Sequence, residues 1–143
     1  MKKETKQTDS LENLFDFLKR TDSGLRNRVV VYWPDGWGPG MVSSYQKHGY
    51  LKDCIVFEDI EAFWEWIHHN EFDKIIMDVW KRENGQIVYD VNIIGKIRKD
   101  FPDCKIIVTS ALNHFQAIAL FLGADAFLTL PFLWNDLLSL IYE

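Results

Sequence analysis

The sequence predicts one α/β domain in which a parallel sheet is covered by helices on both faces, a doubly wound arrangement. Short apolar runs alternate with helical patterns along the chain, and such alternation builds a parallel sheet through right-handed crossovers. The chain has 143 residues, of which 48% are hydrophobic and 26% are charged. That length and composition suit a single domain with a sizeable core.

Five apolar runs have the length and the continuity of strands that are buried on both faces. Turn residues or helical segments separate each run from the next. The predicted strands are residues 28–32, 53–57, 74–79, 104–111 and 126–130.

Helical periodicity fills the intervals between these strands. Pro39 suits a first helical turn and Gly49 a stop, so they bracket a helix over 41–48. Pro102 ends another helix that spans 90–101. Apolar residues recur at helical spacing in the segment 60–69, and two more helices are predicted over 113–122 and 134–142.

The first 27 residues form a separate N-terminal extension, so the domain proper spans 28–143. An extra N-terminal helix is predicted from an apolar stripe behind two capping candidates, Asp9 and Ser10, and residues 20–27 resemble a linker. This helix either covers part of the domain or docks to a partner. The stripe consists of Leu11, Leu14, Phe15 and Leu18.

Charge and composition exclude several functional classes. The formal net charge is −5, which does not favour a direct nucleic-acid contact because phosphate binding needs clustered Lys and Arg. No apolar run is long enough to span a bilayer, and the N-terminus lacks the apolar core of a secretory signal. We therefore expect a soluble cytoplasmic protein with no membrane partner. Cys54 and Cys104 are isolated in the sequence, which predicts buried thiols and no structural zinc site.

Three stretches carry a specific resemblance to a known family. The segments "FDKIIMDVW", "IRKDFPDCKIIVTSA" and "GADAFLTLPF" occur in the order found in response-regulator receiver domains, and "FEDIEAF" is similar to that family's acidic turn after strand two. The resemblance implies the flavodoxin-like strand order 2-1-3-4-5, with chemistry at the carboxyl ends of the strands. By position, Asp78 matches the phosphoaccepting aspartate, Ser110 the hydroxyl residue that closes the fourth strand, and Phe127 the switching aromatic residue.

The resemblance also shows where this sequence departs from the family. Phosphorylation in receivers uses Mg²⁺, held by the aspartate and an acidic pair after strand one, and a lysine before the final proline. The lysine position is Leu130, and the acidic pair falls at Tyr32 and Trp33 or at Trp33 and Pro34. Since Mg²⁺ needs several oxygen ligands, we expect weak Mg²⁺ binding or none, and no other cofactor.

Aromatic residues are expected to fill the vestigial pocket. Trp33 and Trp80 are placed together beside Asp78 in this interpretation, and Asp35 is the only acid that remains near the first turn. Burial beside such rings would raise the pKa of the Asp78 carboxyl by desolvation. The predicted pocket therefore comprises Trp33, Asp35, Trp80, Ser110 and Leu130, with no catalytic residue and no metal ligand set.

Three functions remain open at this point. The first is a pseudo-receiver that signals by protein–protein interaction without phosphorylation, and the second is a response regulator that is phosphorylated on Asp78 with help from Asp35. The third is a nucleotide-binding domain that uses the glycine-rich turn at residues 36–40. Two features argue against the third function. The glycines are spaced G-x-G-x-G and not G-x-G-x-x-G, and Pro39 removes a backbone N–H donor that would hold a phosphate.

The spacing of the histidines does not suggest a metal site or a catalytic triad, so we do not expect an enzyme.

The predicted helix 113–122 carries two apolar stripes. Phe115, Ala119 and Leu122 are expected to face the sheet, which leaves a second stripe pointing outward. Either another part of the chain covers this second stripe, or a partner does. In receivers the fourth helix, fifth strand and fifth helix form the usual docking and dimer surface, so we expect a homodimer or a signalling partner there, with no attached output domain. The outward residues are His114, Ala117, Ile118 and Phe121.

Overall fold

The computed structural model describes residues 28–142 and contains a five-stranded parallel sheet at its centre. Its strand order is β2-β1-β3-β6-β7. When only the parallel strands are counted, this is the 2-1-3-4-5 order of the flavodoxin-like fold, so the predicted fold class is confirmed. The strands are β1 (Val29–Tyr32), β2 (Cys54–Phe57), β3 (Lys74–Met77), β6 (Lys105–Ser110) and β7 (Ala126–Thr129).

Five α-helices flank the sheet within the described residues. The fourth is preceded by a 3-10 turn at Asn113–Phe115. The helices are α1 (Gly38–Lys47), α2 (Ile60–His69), α3 (Ile93–Asp100), α4 (Gln116–Phe121) and α5 (Trp134–Tyr142).

Each face of the sheet has its own hydrophobic layer, because successive side chains of a strand point to opposite faces. Val30 and Tyr32 of β1 belong to one layer, which residues of α2, α3 and α4 complete. Val29 and Val31 belong to the other, which α1 and α5 cover. The central strands β1, β3 and β6 are buried almost throughout, as their continuous apolar sequence predicts.

An antiparallel hairpin that the sequence analysis did not predict follows β3. It consists of β4 (Trp80–Glu83) and β5 (Gln86–Tyr89), joined by Asn84 and Gly85. Both turn residues have positive φ angles, 52° and 77°, which is the conformation of a type I′ two-residue turn. The hairpin stands between the end of β3 and the start of α3, directly beside the carboxyl edge of the sheet.

The predictions for residues 1–27, including the extra N-terminal helix with Leu11, Leu14, Phe15 and Leu18, lie outside the described residues. Within 28–142, none of the helices combines the length and the apolar character that a bilayer span requires.

Candidate functional site

Asp78 lies at the carboxyl end of β3, where the resemblance places the phosphoaccepting aspartate. Its side chain is only 1% exposed, and its Oδ1 accepts a hydrogen bond of 2.7 Å from the backbone N–H of Val79. The backbone N–H of Asp78 itself donates to the carbonyl oxygen of Tyr32 on the neighbouring strand. The Asp78 side chain is therefore buried and held by a hydrogen bond at the carboxyl edge of the sheet.

Tyr32 and Trp80 close the space above this carboxyl group. The Tyr32 hydroxyl donates a hydrogen bond of 2.8 Å to the carbonyl oxygen of Trp80, at the start of the hairpin. Burial raises the pKa of the Tyr32 phenol, and the nearby carboxylates of Asp59, Asp78 and Asp35 raise it further. The phenol consequently remains protonated and serves as a donor throughout the physiological range.

Burial also raises the pKa of the Asp78 carboxyl, from 3.8 to about 7. Desolvation is the main cause; the Val79 N–H lowers the pKa, the charge of Asp35 raises it, and a hydrogen bond from the Trp80 side chain lowers it. The direction agrees with the expectation from aromatic surroundings. A carboxyl group with a pKa of about 7 is about half protonated at pH 7, which weakens it as a nucleophile because only the ionised form carries the attacking electron pair.

The space that remains beside Asp78 is very small. Its volume is about 10 Å³, close to the minimum that one water molecule needs. Lys81 of the hairpin also lines this space, and its ammonium group lies 3.9 Å from Glu83. The sequence reasoning did not place Lys81 at the site, and it named Tyr32 only as a position of the missing acidic pair.

A larger groove of about 820 Å³ lies at the opposite edge of the sheet, between residues such as Arg28, Asp73 and Cys104. These residues stand at the amino ends of β1, β3 and β6. Parallel α/β sheets bind their ligands at the carboxyl ends of the strands, so the groove does not belong to the site around Asp78.

Trp33 does not join Trp80 beside Asp78, and the prediction that the two indoles plug the pocket together is wrong. Trp33 belongs to the hydrophobic layer on the other face of the sheet. Its Nε1–H donates to Thr109 Oγ1 at 2.9 Å, and its ring stacks on Trp37 at 4.5 Å. The reason is the alternation of side chains along β1, which sends Tyr32 and Trp33 to opposite faces.

The remaining residues of the predicted pocket, and the predicted switch residue Phe127, lie around the carboxyl edge in different environments. Ser110 is buried, and its Oγ accepts a hydrogen bond from the backbone N–H of Leu112. Leu130 follows β7 and is half-buried, with its backbone N–H donating to the carbonyl of Ser110. Phe127 packs half-buried against the layer that contains Tyr32. Asp35 is exposed in the turn after β1.

This set of residues does not fit a bound Mg²⁺ ion. The ion prefers octahedral coordination by oxygen ligands and retains several waters. Here the Tyr32 hydroxyl is committed to the Trp80 carbonyl, Asp59 caps α2 by accepting from the N–H of Ala62, and the remaining volume suits about one water. Within residues 28–142, no three His, Cys, Asp or Glu side chains form a group that could hold a metal ion.

The glycine-rich turn at 36–40 is shaped by local packing. Gly36 has a positive φ of 87°, and a Cβ on Gly38 would lie 3.1 Å from the Trp33 ring and 3.2 Å from Val56. Gly38 therefore allows α1 to pack closely against the tryptophan. The turn supports the core on this face, whereas a Cβ on Gly40 would have no atom within 4 Å.

The outward stripe of α4 is exposed, and the inner stripe packs against the sheet. Phe121 is 86% exposed and Ile118 is 43% exposed, whereas Ala119 is fully buried. His114 and Ala117 are exposed as well. The orientation of the helix matches the prediction, and the role of this stripe as an interface stays a prediction.

Comparisons with solved structures identify the fold. The beryllofluoride-activated receiver-domain dimer of NtrC4 shares 25% identity at a TM-score of 0.67, over 80% of this chain and 92% of that chain. The response regulator TrrA of Thermotoga maritima, in complex with Mg²⁺ and beryllofluoride, shares 21% identity at a TM-score of 0.66, over 79% and 94%. The receiver domain of Francisella response regulator 1452 shares 22% identity at a TM-score of 0.67, over 81% and 96%.

No protein-family model matches the sequence, and no curated protein sequence matches it. The structural likeness covers the sheet, its strand order and the helices on both faces. The described part of the chain thus has the fold of the receiver domains of response regulators.

Proposed function

We propose that this chain is a pseudo-receiver, a signalling domain that acts by protein–protein interaction and does not undergo phosphorylation on Asp78. The observation that carries the proposal is the closed site. The Tyr32–Trp80 hydrogen bond, the small remaining volume and the buried position of Asp78 leave no room for a phosphoryl group or a hydrated ion.

The electrostatics of the site support the same proposal. Phosphoryl transfer requires positive charge to stabilise the charge that develops on the transferred oxygens. Leu130 supplies none, and desolvation, the largest cause, raises the pKa of the Asp78 carboxyl group. A raised pKa leaves a smaller fraction of the Asp78 carboxyl group ionised near neutral pH, and only the ionised form can attack a phosphoryl group.

The exposed stripe of α4 supports the proposed mode of action. Ile118 and Phe121 present apolar area to solvent, and each contributes about 1.5–3 kcal/mol when it is fully buried against a partner. Leu133, which directly precedes α5, is 72% exposed and adds to this apolar area. One of the similar solved structures is a receiver-domain dimer, so we propose a second copy or another signalling protein as the partner, and no direct nucleic-acid contact.

Mass spectrometry after incubation with acetyl phosphate and Mg²⁺ tests the absence of phosphorylation. We expect no adduct of one phosphoryl group on the wild-type chain and no beryllofluoride binding. Asp78→Asn is the matched control, since it removes the acceptor and preserves the shape. A stoichiometric adduct that disappears in Asp78→Asn would establish the phosphoaccepting alternative, in which Asp35 and Asp78 act together.

The double variant Ile118→Glu/Phe121→Lys tests the proposed surface. Because both side chains are exposed, we expect thermal unfolding to stay within a few degrees of wild type while association in sizing experiments is weaker than in the wild type. Ser43→Glu, on α1 at the other face of the sheet, is the control and should leave association unchanged. Association in the double variant that is as tight as in the wild type would remove this surface from the proposal.

A further inference from the structure

The hairpin β4–β5 has one edge that faces the domain and one edge that faces away from it. In a hairpin with a two-residue loop, the residues that flank the loop form a hydrogen-bonded pair, here Glu83 and Gln86. Hydrogen-bonded and non-hydrogen-bonded pairs then alternate along the ladder. Arg82–Ile87 and Trp80–Tyr89 are therefore the non-hydrogen-bonded pairs.

Two contacts confirm this assignment independently. The Asp90 N–H donates to the Val79 carbonyl at 2.7 Å, so the pair that follows Trp80–Tyr89 is hydrogen-bonded, as the alternation requires. The Trp80 carbonyl points away from β5 and accepts the Tyr32 hydroxyl. The outer edge of β4 thus accepts a hydrogen bond from the domain, whereas within residues 28–142 the outer edge of β5 makes none.

The outer edge of β5 carries the N–H and C=O groups of Ile87 and Tyr89. Within residues 28–142, none of these four backbone groups has a partner outside the hairpin. Both side chains are also exposed, by 52% for Ile87 and 44% for Tyr89. Exposed strand edges of this kind pair with other strands unless charges, proline or a covering segment prevent it.

The composition of β5 contains none of those protective features. Its sequence is Gln-Ile-Val-Tyr, with no charged residue and no proline. The charges of the hairpin lie on β4, at Lys81, Arg82 and Glu83. Two β5 strands can therefore approach each other without placing like charges opposite one another, although the whole chain carries a net charge of −5.

The geometry points to a second copy of this chain as the partner of β5, paired antiparallel to form a four-stranded sheet from two hairpins. A two-fold axis through Val88 places Ile87 opposite Tyr89 of the second copy and Tyr89 opposite its Ile87. Because these residues carry the outward groups, the two pairs exchange four backbone hydrogen bonds. Val88 lies opposite Val88 of the second copy in a close, non-hydrogen-bonded pair.

This surface is distinct from the outward stripe of α4, but the two adjoin. The Tyr89 ring lies 5.2 Å from the ring of Phe115, and Phe115 lies 4.4 Å from His114 by ring centroids. Pairing through four-residue strands buries a small area, so we expect a weak dimer with a micromolar to millimolar dissociation constant.

Charge exchange at Val88 tests the pairing in the full chain. Val88→Lys and Val88→Glu each place two like charges face to face, and we expect each to raise the dimer dissociation constant about tenfold or more in sedimentation equilibrium. An equimolar mixture of the two variants should regain the wild-type constant. No such recovery, or a wild-type chain that is monomeric over this whole range, would overturn the inference.

Amide hydrogen exchange provides a second readout that does not depend on a variant. On raising the wild-type concentration, the amides of Ile87 and Tyr89 should gain protection, while those of Gln86 and Val88, already bonded within the hairpin, should change little. Equal and concentration-independent exchange at Ile87 and Tyr89 contradicts the pairing. The variant Ile118→Glu/Phe121→Lys should retain this protection, so a failure of the α4 surface and a failure of the β5 edge give different results.

Discussion

Replacing Asp78 by Asn should stabilise the fold, and increasingly so as the pH rises. The pKa of the Asp78 carboxyl is about 7 in the folded chain and 3.8 ordinarily. Between these values the folded state holds a proton that the unfolded state releases, so wild-type stability falls as the pH rises. Asn is neutral at every pH, and its amide oxygen can still accept from the Val79 N–H.

The expected magnitude follows from the size of the pKa difference. About three pKa units at about 1.36 kcal/mol each give about 4 kcal/mol of lost wild-type stability above neutrality. The Asn variant should match wild type near pH 4 and exceed it by up to that amount near pH 8. For a domain of this size, the loss is a large part of the total free energy of unfolding.

Urea unfolding of both chains across this pH range measures the difference directly. Asp35→Asn is a useful companion, since removing its charge lowers the pKa of Asp78 and should weaken the pH dependence without abolishing it. A difference between Asp78→Asn and wild type that is constant with pH, or an Asn variant that is less stable at pH 8, would refute the assigned burial of the carboxyl group.

Three further predictions concern the supporting structure. Thr109→Val should cost about 1–3 kcal/mol of unfolding free energy in urea titrations, because the buried Nε1–H of Trp33 loses its acceptor, whereas Thr109→Ser keeps the hydroxyl and should cost less. Gly38→Ala should lower the free energy of unfolding by about 1–3 kcal/mol, because the added methyl group would contact Trp33, whereas Gly40→Ala should be neutral or stabilising. Equal effects of the two substitutions would contradict the close packing of α1 on Trp33. The two ring nitrogens of His68 face the Trp64 carbonyl and the Asp100 carboxylate, and both contacts raise its pKa. At pH values below the unfolded-state pKa of His68, these contacts should therefore add up to about 1 kcal/mol to the free energy of unfolding, and this contribution is lost as the pH rises through the folded-state pKa. A difference in unfolding free energy between wild type and His68→Gln that does not vary with pH would contradict this.

Most of the elements followed from the sequence because their signals are local, whereas the strand order was what the family resemblance implied. Continuous apolar runs marked β1, β3 and β6, and helical spacing marked α2 with its buried Phe63 and Ile67. The hairpin was missed although Asn84-Gly85 is a strong turn signal, because β4 is mostly charged and gave no apolar run. The sequence pattern of a solvent-exposed ribbon differs from that of a core strand.

The arrangement of residues around Asp78 was predicted only in part, because local sequence patterns determine some of its contacts and not others. Its position at Asp78 follows from the resemblance, and the expected desolvation of Asp78 agrees with its burial. The error concerned the partner residue, since strand alternation alone indicates that Tyr32 and Trp33 face opposite layers. The Tyr32–Trp80 hydrogen bond depends on where the hairpin returns to the domain, which is a long-range property that local patterns do not contain.

The placement of two aromatic residues at the end of β1 would oppose the introduction of an acidic, metal-binding pair at these positions. Tyr32 fills one hydrophobic layer and Trp33 fills the other. Introducing a pair of acids there would remove large side chains from both layers at once, at about 3–5 kcal/mol for each, against a total stability of about 5–15 kcal/mol for a typical domain. A single acid at either position would already be buried without a cation. An engineered acidic pair would therefore require the core around β1 to be rebuilt first.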